Sequence, residues 1–236
     1  MTTDSAADRP VVAIGLETTR SRGALDRDER LVKDGILRMG SLVETQIRNA
    51  IQSLVDRDQD LAAEVIAGDA LVNEAQRAVN EAVAMTIATQ APVARDLRFL
   101  LALHHVGYEL ERIGDHASSV AKQVRRLSEE RSLPAIGALG KMGGLAADQV
   151  RGVLEAVIDI DQARAREVAI ADDEIDHLYH SVFADVVKIM TSDPTAVDRG
   201  TRLVLIAHWI ERIGDRVTNI AEDVVYLASG EVEDLN

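Results

Sequence analysis

The pentapeptide Glu-Arg-Ile-Gly-Asp occurs twice in this 236-residue chain, at residues 111–115 and again at residues 211–215. A second matched pair lies upstream, where residues 38–42 align with residues 141–145. The offset between the copies is 103 residues upstream of a proline-containing loop and 100 residues downstream of it. A three-residue deletion in the second of these loops accounts for the change. The sequence therefore predicts one structural unit that is present twice.

Apolar residues follow a helical repeat throughout both copies. At the start of the first copy, the inner positions are separated by alternating steps of four and three residues: Ile36, Gly40, Val43, Ile47, Ala50 and Leu54. Such spacing places these residues on one face of a helix. Segments 139–160, 168–189 and 203–225 repeat the pattern in the second copy, and no segment alternates with period two. We therefore expect an all-α fold of two pseudo-symmetric three-helix bundles, with six long helices in all.

The repeat also sets the expected domain boundaries. The first bundle is predicted at residues 25–130 and the second at residues 131–230. Residues 1–24 are rich in Asp, Thr, Ser and Arg and lie outside the repeat, so we expect a mobile N-terminal arm there. Residues 231–236 form a C-terminal tail.

Composition and charge exclude several classes of partner and cofactor. The chain has no cysteine, which excludes disulfides, thiolate zinc sites and iron–sulfur clusters. Its net charge of −14 argues against nucleic-acid partners and against anionic lipid. No segment approaches the roughly 18 consecutive apolar residues of a membrane span, and the N-terminus lacks a signal-peptide pattern. We expect a cytoplasmic protein without direct membrane insertion.

Each copy of the duplicated string carries two acids four residues apart. Glu111 and Asp115 project from one helix face, beside the apolar seam, and Glu211 and Asp215 do the same in the second copy. Neighbouring carboxylates repel each other, so either a nearby cation such as Arg112 or a bound metal ion has to compensate for them.

The middle helix of each copy carries a second polar pair beside its own seam. These pairs are Asp69 with Asn73, and Asp172 with Asp176. Two facing pairs of oxygen ligands would suit a hard or borderline metal ion. Solvated acids on charged helix surfaces are the alternative reading, and a structural role for the string, with its glycines as close-packing points and its arginines pairing the acids, also stays open.

Enzymatic signals are weak. Glu174 and His177 fit the ExxH pattern of di-iron carboxylate bundles, but those sites need two copies and the chain has one. No Ser/His/Asp or Lys-based catalytic arrangement is recognisable. We expect a protein that is not an enzyme. A metal-dependent oxidase or hydrolase, and a purely structural interaction module, remain alternatives.

The duplicated string and the paired Met-Gly segments resemble the PhoU family of phosphate-transport regulators. The segments that carry this resemblance are residues 39–46, 65–73, 94–98, 109–115, 210–215 and 219–222. They follow one another in order, so the resemblance extends from about residue 25 to residue 230. It implies the same fold of two three-helix bundles.

The resemblance also implies a function and a site. Such proteins are cytoplasmic negative regulators, without enzymatic activity, that couple the ATPase subunit of a phosphate ABC transporter to a phosphate-sensing histidine kinase. Family members bind metal ions, and iron, zinc, magnesium and manganese are all candidates here. The positions that match are Glu111, Asp115, Glu211 and Asp215, with Asp69, Asn73, Asp172 and Asp176 facing them. Asn73 departs from the acidic pattern, so we expect the first site to bind fewer ions or to bind them more weakly. We also expect a homodimer.

Overall fold

The structure, a computed structural model, describes residues 12–127 and 134–235, with side chains from residue 22 onward. Its helices are α1 (Val12–Asp56), α2 (Gln59–Gln90), α3 (Ala94–Leu127), α4 (Ile136–Asp159), α5 (Gln162–Ile170), α6 (Asp172–Ser192) and α7 (Val197–Ser229). A 3-10 turn, Pro194–Ala196, leads into α7. No strand occurs in these two ranges. The prediction of an all-α fold is confirmed.

The helices form two bundles of the same design. Helices α1, α2 and α3 pack against one another in the first unit, and α4, α5 with α6, and α7 do so in the second. Helices α5 and α6 together therefore take the place of α2. The units join where α1 packs against α4 and where α3 packs against α7. The predicted inner positions of α1 are all buried: Ile36, Gly40, Val43, Ile47, Ala50 and Leu54.

Each unit passes from its first helix to its second through equivalent residues. Asp58 and Asp161 are N-caps whose carboxylates accept hydrogen bonds from the backbone N–H groups two and three residues further on. The residues before them, Arg57 and Ile160, have positive φ angles of 60° and 52°. Capping stabilises a helix start by about 1 kcal/mol. The repeat thus extends to the backbone conformation of the connections.

The contact between α1 and α4 is reciprocal. A Cβ atom added at Gly40 would collide with Leu154, and one added at Gly143 would collide with Ile51. Gly143 and Leu154 each lie 103 residues after Gly40 and Ile51, so the two contacts are related by the repeat. Both glycines let the helices approach closely enough for the partner's branched side chain to fill the space.

Two details of the helices were not predicted. The helix α1 begins at Val12, so residues 12–24 of the expected arm are helical; the mobility of the arm stays a prediction, and residues 1–11 lie outside the described residues. The helix is held to the bundle from Arg22 onward, because Leu25 is buried and Arg22 forms an ion pair with Asp96 at 3.3 Å. Extending an existing helix towards its N-terminus costs little free energy compared with starting a new one. The middle helix of the second unit is also divided, at Ala171, where three consecutive acids begin α6. Acids are favoured at a helix N-terminus.

Candidate functional site

In the first unit, α2 and α3 bring their polar pairs together. The carboxylate of Asp69 and the amide of Asn73 are hydrogen-bonded, with Nδ2 donating to Oδ2 at 3.2 Å. Burial raises the pKa of Glu111, and the charges of Asp115 and Asp69 raise it further. Burial and the charge of Asp69 likewise raise the pKa of Asp115. The acids predicted on separate helices therefore lie within electrostatic reach of one another.

In the second unit, α6 and α7 make the same arrangement with four carboxylates. Burial raises the pKa of Asp172 to about 6, and the charges of Asp176, Asp215 and Glu211 add to this effect. Burial and the charge of Asp215 raise the pKa of Asp176. For Glu211, burial and Asp215 act in the same direction. These shifts mean that the folded chain disfavours full ionisation of the cluster.

A pocket of about 440 Å³ opens beside the second cluster. Asp172, Asp176 and Asp215 line it, together with Arg212 and Arg216. Nevertheless, the described residues contain no group of three or more His, Asp or Glu side chains placed to hold a metal ion. Like-charged carboxylates stay apart unless a cation neutralises them.

The arginines of the duplicated string behave differently in the two units. Arg212 Nη1 donates to Asp215 Oδ2 at 2.6 Å. Arg112 Nη1 instead donates to Tyr108 Oη at 3.4 Å, and its guanidinium lies over the Tyr108 ring at 5.8 Å. Direct pairing of an acid by the string's own arginine therefore occurs in the second unit only.

Two buried glutamines belong to the site although their side chains were not predicted there. Gln46 and Gln149 occupy equivalent positions on α1 and α4 and are 7% and 6% exposed. Gln149 Nε2 donates to Asp172 Oδ1 at 3.3 Å. The two glutamines are 103 residues apart, which is the offset between the copies. This match between the copies was the signal that could have identified them.

The residues of the ExxH pattern contact other partners, although the charge of His177 also acts on Asp176. Glu174 Oε1 accepts a hydrogen bond from Lys141 Nζ at 2.6 Å. The Nδ1 atom of His177 lies 2.5 Å from the backbone oxygen of Asp173, in the preceding turn of α6. Both side chains of the motif thus have partners other than the acids that face α7.

A buried polar network lies between the units, where α3 meets α7. Glu109 is 3% exposed, and its Oε2 accepts from Arg216 at 3.5 Å and from Asn219 Nδ2 at 3.4 Å. Nearby, the ring of His116 stacks on Trp209 with centroids 5.3 Å apart. Burial and the positive charges around it lower the pKa of His116 to about 4. The ring is therefore neutral at pH 7.

Known proteins match most of the chain. The PhoU domain profile matches residues 36–124 and residues 139–224. A Clostridium acetobutylicum protein, "Phosphate-specific transport system accessory protein PhoU homolog", is 33% identical over 92% of this chain and 99% of its own length. A Streptococcus pneumoniae protein of the same name is 31% identical over 91% of this chain and 100% of its own length.

Solved structures agree with these matches. The crystal structure of PhoU from Pseudomonas aeruginosa superposes with a TM-score of 0.84 and 33% identity, covering 87% of this chain and 99% of that one. The phosphate transport system regulatory protein PhoU from Streptococcus pneumoniae also gives a TM-score of 0.84, at 28% identity, covering 89% and 99% of the two chains. With two domain matches, relatives above 30% identity and the same fold, this chain belongs to the PhoU family.

Proposed function

We propose that this protein is a regulatory accessory component of a phosphate transport system and that it binds metal ions through its two carboxylate clusters. The names of the Clostridium and Streptococcus relatives support the first part. One observation carries the second part. In each repeat, the polar pairs of two different helices lie close enough for the charge on one helix to raise the pKa of an acid on the other: Asp69 acts on Glu111 in the first unit, and Asp215 and Glu211 act on Asp172 in the second.

The donor set fits a hard or borderline divalent cation, because every side chain in the clusters offers oxygen. Burial favours a cation further, since it penalises carboxylates that have no positive neighbour. Glu211 Oε2 is also buried without a hydrogen-bond partner, and the basic atom His208 Nδ1 lies 3.4 Å from it. The residues that would hold the ions are Asp69, Asn73, Glu111 and Asp115 in the first unit, and Asp172, Asp176, Glu211 and Asp215 in the second. A bound ion would supply positive charge that ties α2 to α3 and α6 to α7.

We further propose that the protein works as a negative regulatory adaptor rather than an enzyme. Its partners would be the ATPase subunit of a phosphate ABC transporter and a phosphate-sensing histidine kinase, both reached from the cytoplasm. Over the described residues, no helix is long and apolar enough to cross a membrane. Cations that tie α2 to α3 and α6 to α7 would hold a partner-binding surface in one conformation. Metal binding would then have a regulatory role without catalytic turnover.

Metal content tests the site. Protein purified without chelators should contain iron, zinc, manganese or magnesium by mass spectrometry, and the double variant Asp115→Asn, Asp215→Asn should lose most of it. The matched control is Glu64→Gln with Asp185→Asn, which removes the same charge from exposed positions on α2 and α6. Equal metal content in the two double variants would show that the clusters are not the site.

Partner binding tests the adaptor role. We expect the ATPase subunit and the kinase to be retained on the immobilised wild-type protein, and retention to fall when metal is removed with EDTA. Unchanged retention would separate partner binding from the clusters. The homodimer stays a prediction, and light scattering of the purified protein measures it directly.

A further inference from the structure

Gln46 and Gln149 are unusual members of their helices. Both are more than nine-tenths buried. The Oε1 atom of each is also buried and has no hydrogen-bond partner, and neither does Gln46 Nε2. A carboxamide oxygen that accepts no hydrogen bond is unfavourable in the interior of a helical bundle. Packing alone would place an apolar residue at both positions.

The position of each carboxamide relates it to its cluster. In the first unit, Gln46 Oε1 lies 3.1 Å from where a Cβ atom of Gly114 would be, and Nε2 lies 3.4 Å from that of Gly68. These glycines directly precede Asp115 and Asp69 in the chain. The Gln46 side chain therefore lies between α2 and α3, beside Gly68 and Gly114, at the level along both helices where these acids are attached.

In the second unit the contact with an acid is direct, since Gln149 Nε2 donates to Asp172 Oδ1. This hydrogen bond uses the nitrogen and leaves Oε1 without a donor. A carboxamide oxygen beside a carboxylate cluster is repelled by the negative charges of the cluster, whereas a cation attracts both the carboxamide oxygen and the carboxylates. Amide oxygens are ordinary ligands of oxygen-seeking divalent cations.

We propose that Gln46 and Gln149 each supply a neutral carboxamide oxygen ligand to the divalent cation bound by the carboxylates of the same unit. This inference rests on the proposed metal binding. It adds a third helix to each site, α1 in the first unit and α4 in the second. Because α1 and α4 form part of the contact between the units, the ligands would connect each metal ion to that contact.

The test uses the full chain, freed of metal and titrated with Mn²⁺ and with Zn²⁺ by calorimetry. Asp115→Asn disables the first unit, and Gln149→Leu is introduced in that background. We expect the second unit to lose at least tenfold in affinity, and Gln149→Glu, which keeps an oxygen at the same place, to retain wild-type affinity. Gln123→Leu is the matched control, because Gln123 is a half-buried glutamine two turns beyond Asp115 on α3.

Two further measurements separate ligation from support of the fold. Gln149→Asn keeps the amide but withdraws it by one methylene, and it too should weaken binding tenfold. The Co²⁺ absorption bands of the bound protein should differ between wild type and Gln149→Leu and should be unchanged in Gln123→Leu. A loss below tenfold in Gln149→Leu, or unchanged bands, would overturn the ligand proposal. Absence of Mn²⁺ and Zn²⁺ binding by the wild type would overturn the metal site itself as well.

Discussion

Replacing Asp172 by Asn should stabilise the metal-free protein at neutral pH. The Asp172 carboxylate is 8% exposed and packs against Gly214. Burial and three neighbouring acids raise its pKa from 3.8 to about 6. The folded state therefore binds more protons than the unfolded state between these values. Stability accordingly falls as pH rises through this window, and the loss is complete above pH 6.

The size of the effect follows from the shift. At about 1.4 kcal/mol per pKa unit, the raised pKa sets a ceiling of about 3 kcal/mol on the destabilisation by the charged form. Asn retains an oxygen that can accept the hydrogen bond from Gln149. Relaxation of neighbouring side chains reduces the ceiling, so we expect a gain of about 1–2 kcal/mol in the free energy of unfolding at pH 7.5. For a chain of this size the melting temperature then rises by about 3–6 °C.

Urea unfolding followed by circular dichroism in EDTA measures the gain at pH 7.5 and at pH 4.5. The stabilisation should shrink at pH 4.5, where the folded wild type already holds its proton. Asp185→Asn, at an exposed position on the same helix, is the control and should change stability little at either pH. A gain in the free energy of unfolding that is equal at both pH values, or a loss at pH 7.5, would refute the attribution of the destabilisation to the ionised Asp172 carboxylate.

Three further outcomes are expected. Gly143→Ala should lower the free energy of unfolding by about 1–3 kcal/mol because its Cβ collides with Ile51, whereas Gly144→Ala, with open space around it, should be neutral or stabilising in the same urea titration. The wild type should lose stability as pH falls from 6.5 towards 4, because the folded protein resists protonation of the His116 ring. Over the same pH range His116→Phe should lose about 2 kcal/mol less, which acid titrations of both proteins measure. Asn73→Asp should raise Mn²⁺ affinity in the first unit by calorimetry, and unchanged affinity would contradict the role of that position.

Much of the fold was readable from the sequence because the duplication supplies two independent views of each helix. Apolar spacing predicted which face of α1 is buried, and the offset predicted that Asp172 and Asp176 occupy the place of Asp69 and Asn73. The structure places these polar pairs within electrostatic reach of one another.

Other features depend on tertiary contacts that no local pattern encodes. The division at Ala171 accompanies the packing of Asp172 on Gly214, a contact between two helices. The different partners of the two string arginines depend on Tyr108, which is present only in the first copy. A lone glutamine in an apolar seam matches no motif. The match between Gln46 and Gln149 marks the position, but the hydrogen bond from Gln149 to Asp172 is a contact between α4 and α6 that this match does not predict.

The difference between the units has a consequence for the order in which cations bind. In the first cluster, Asn73 stands where the second cluster has Asp176, so the first cluster carries one negative charge fewer. Asn73 also donates a hydrogen bond to Asp69, which stabilises the charge of that carboxylate. In the second, four carboxylates face one another and only Asp215 has an arginine partner among the string's own residues. Repulsion that a cation relieves is therefore greater in the second unit, whereas Arg212 has to release Asp215 before that carboxylate binds metal fully. Arg212 pairs with Asp215 and its charge also acts on Glu211, whereas Asp172 and Asp176 experience the charges of their acidic neighbours without an arginine, so the second unit should fill first.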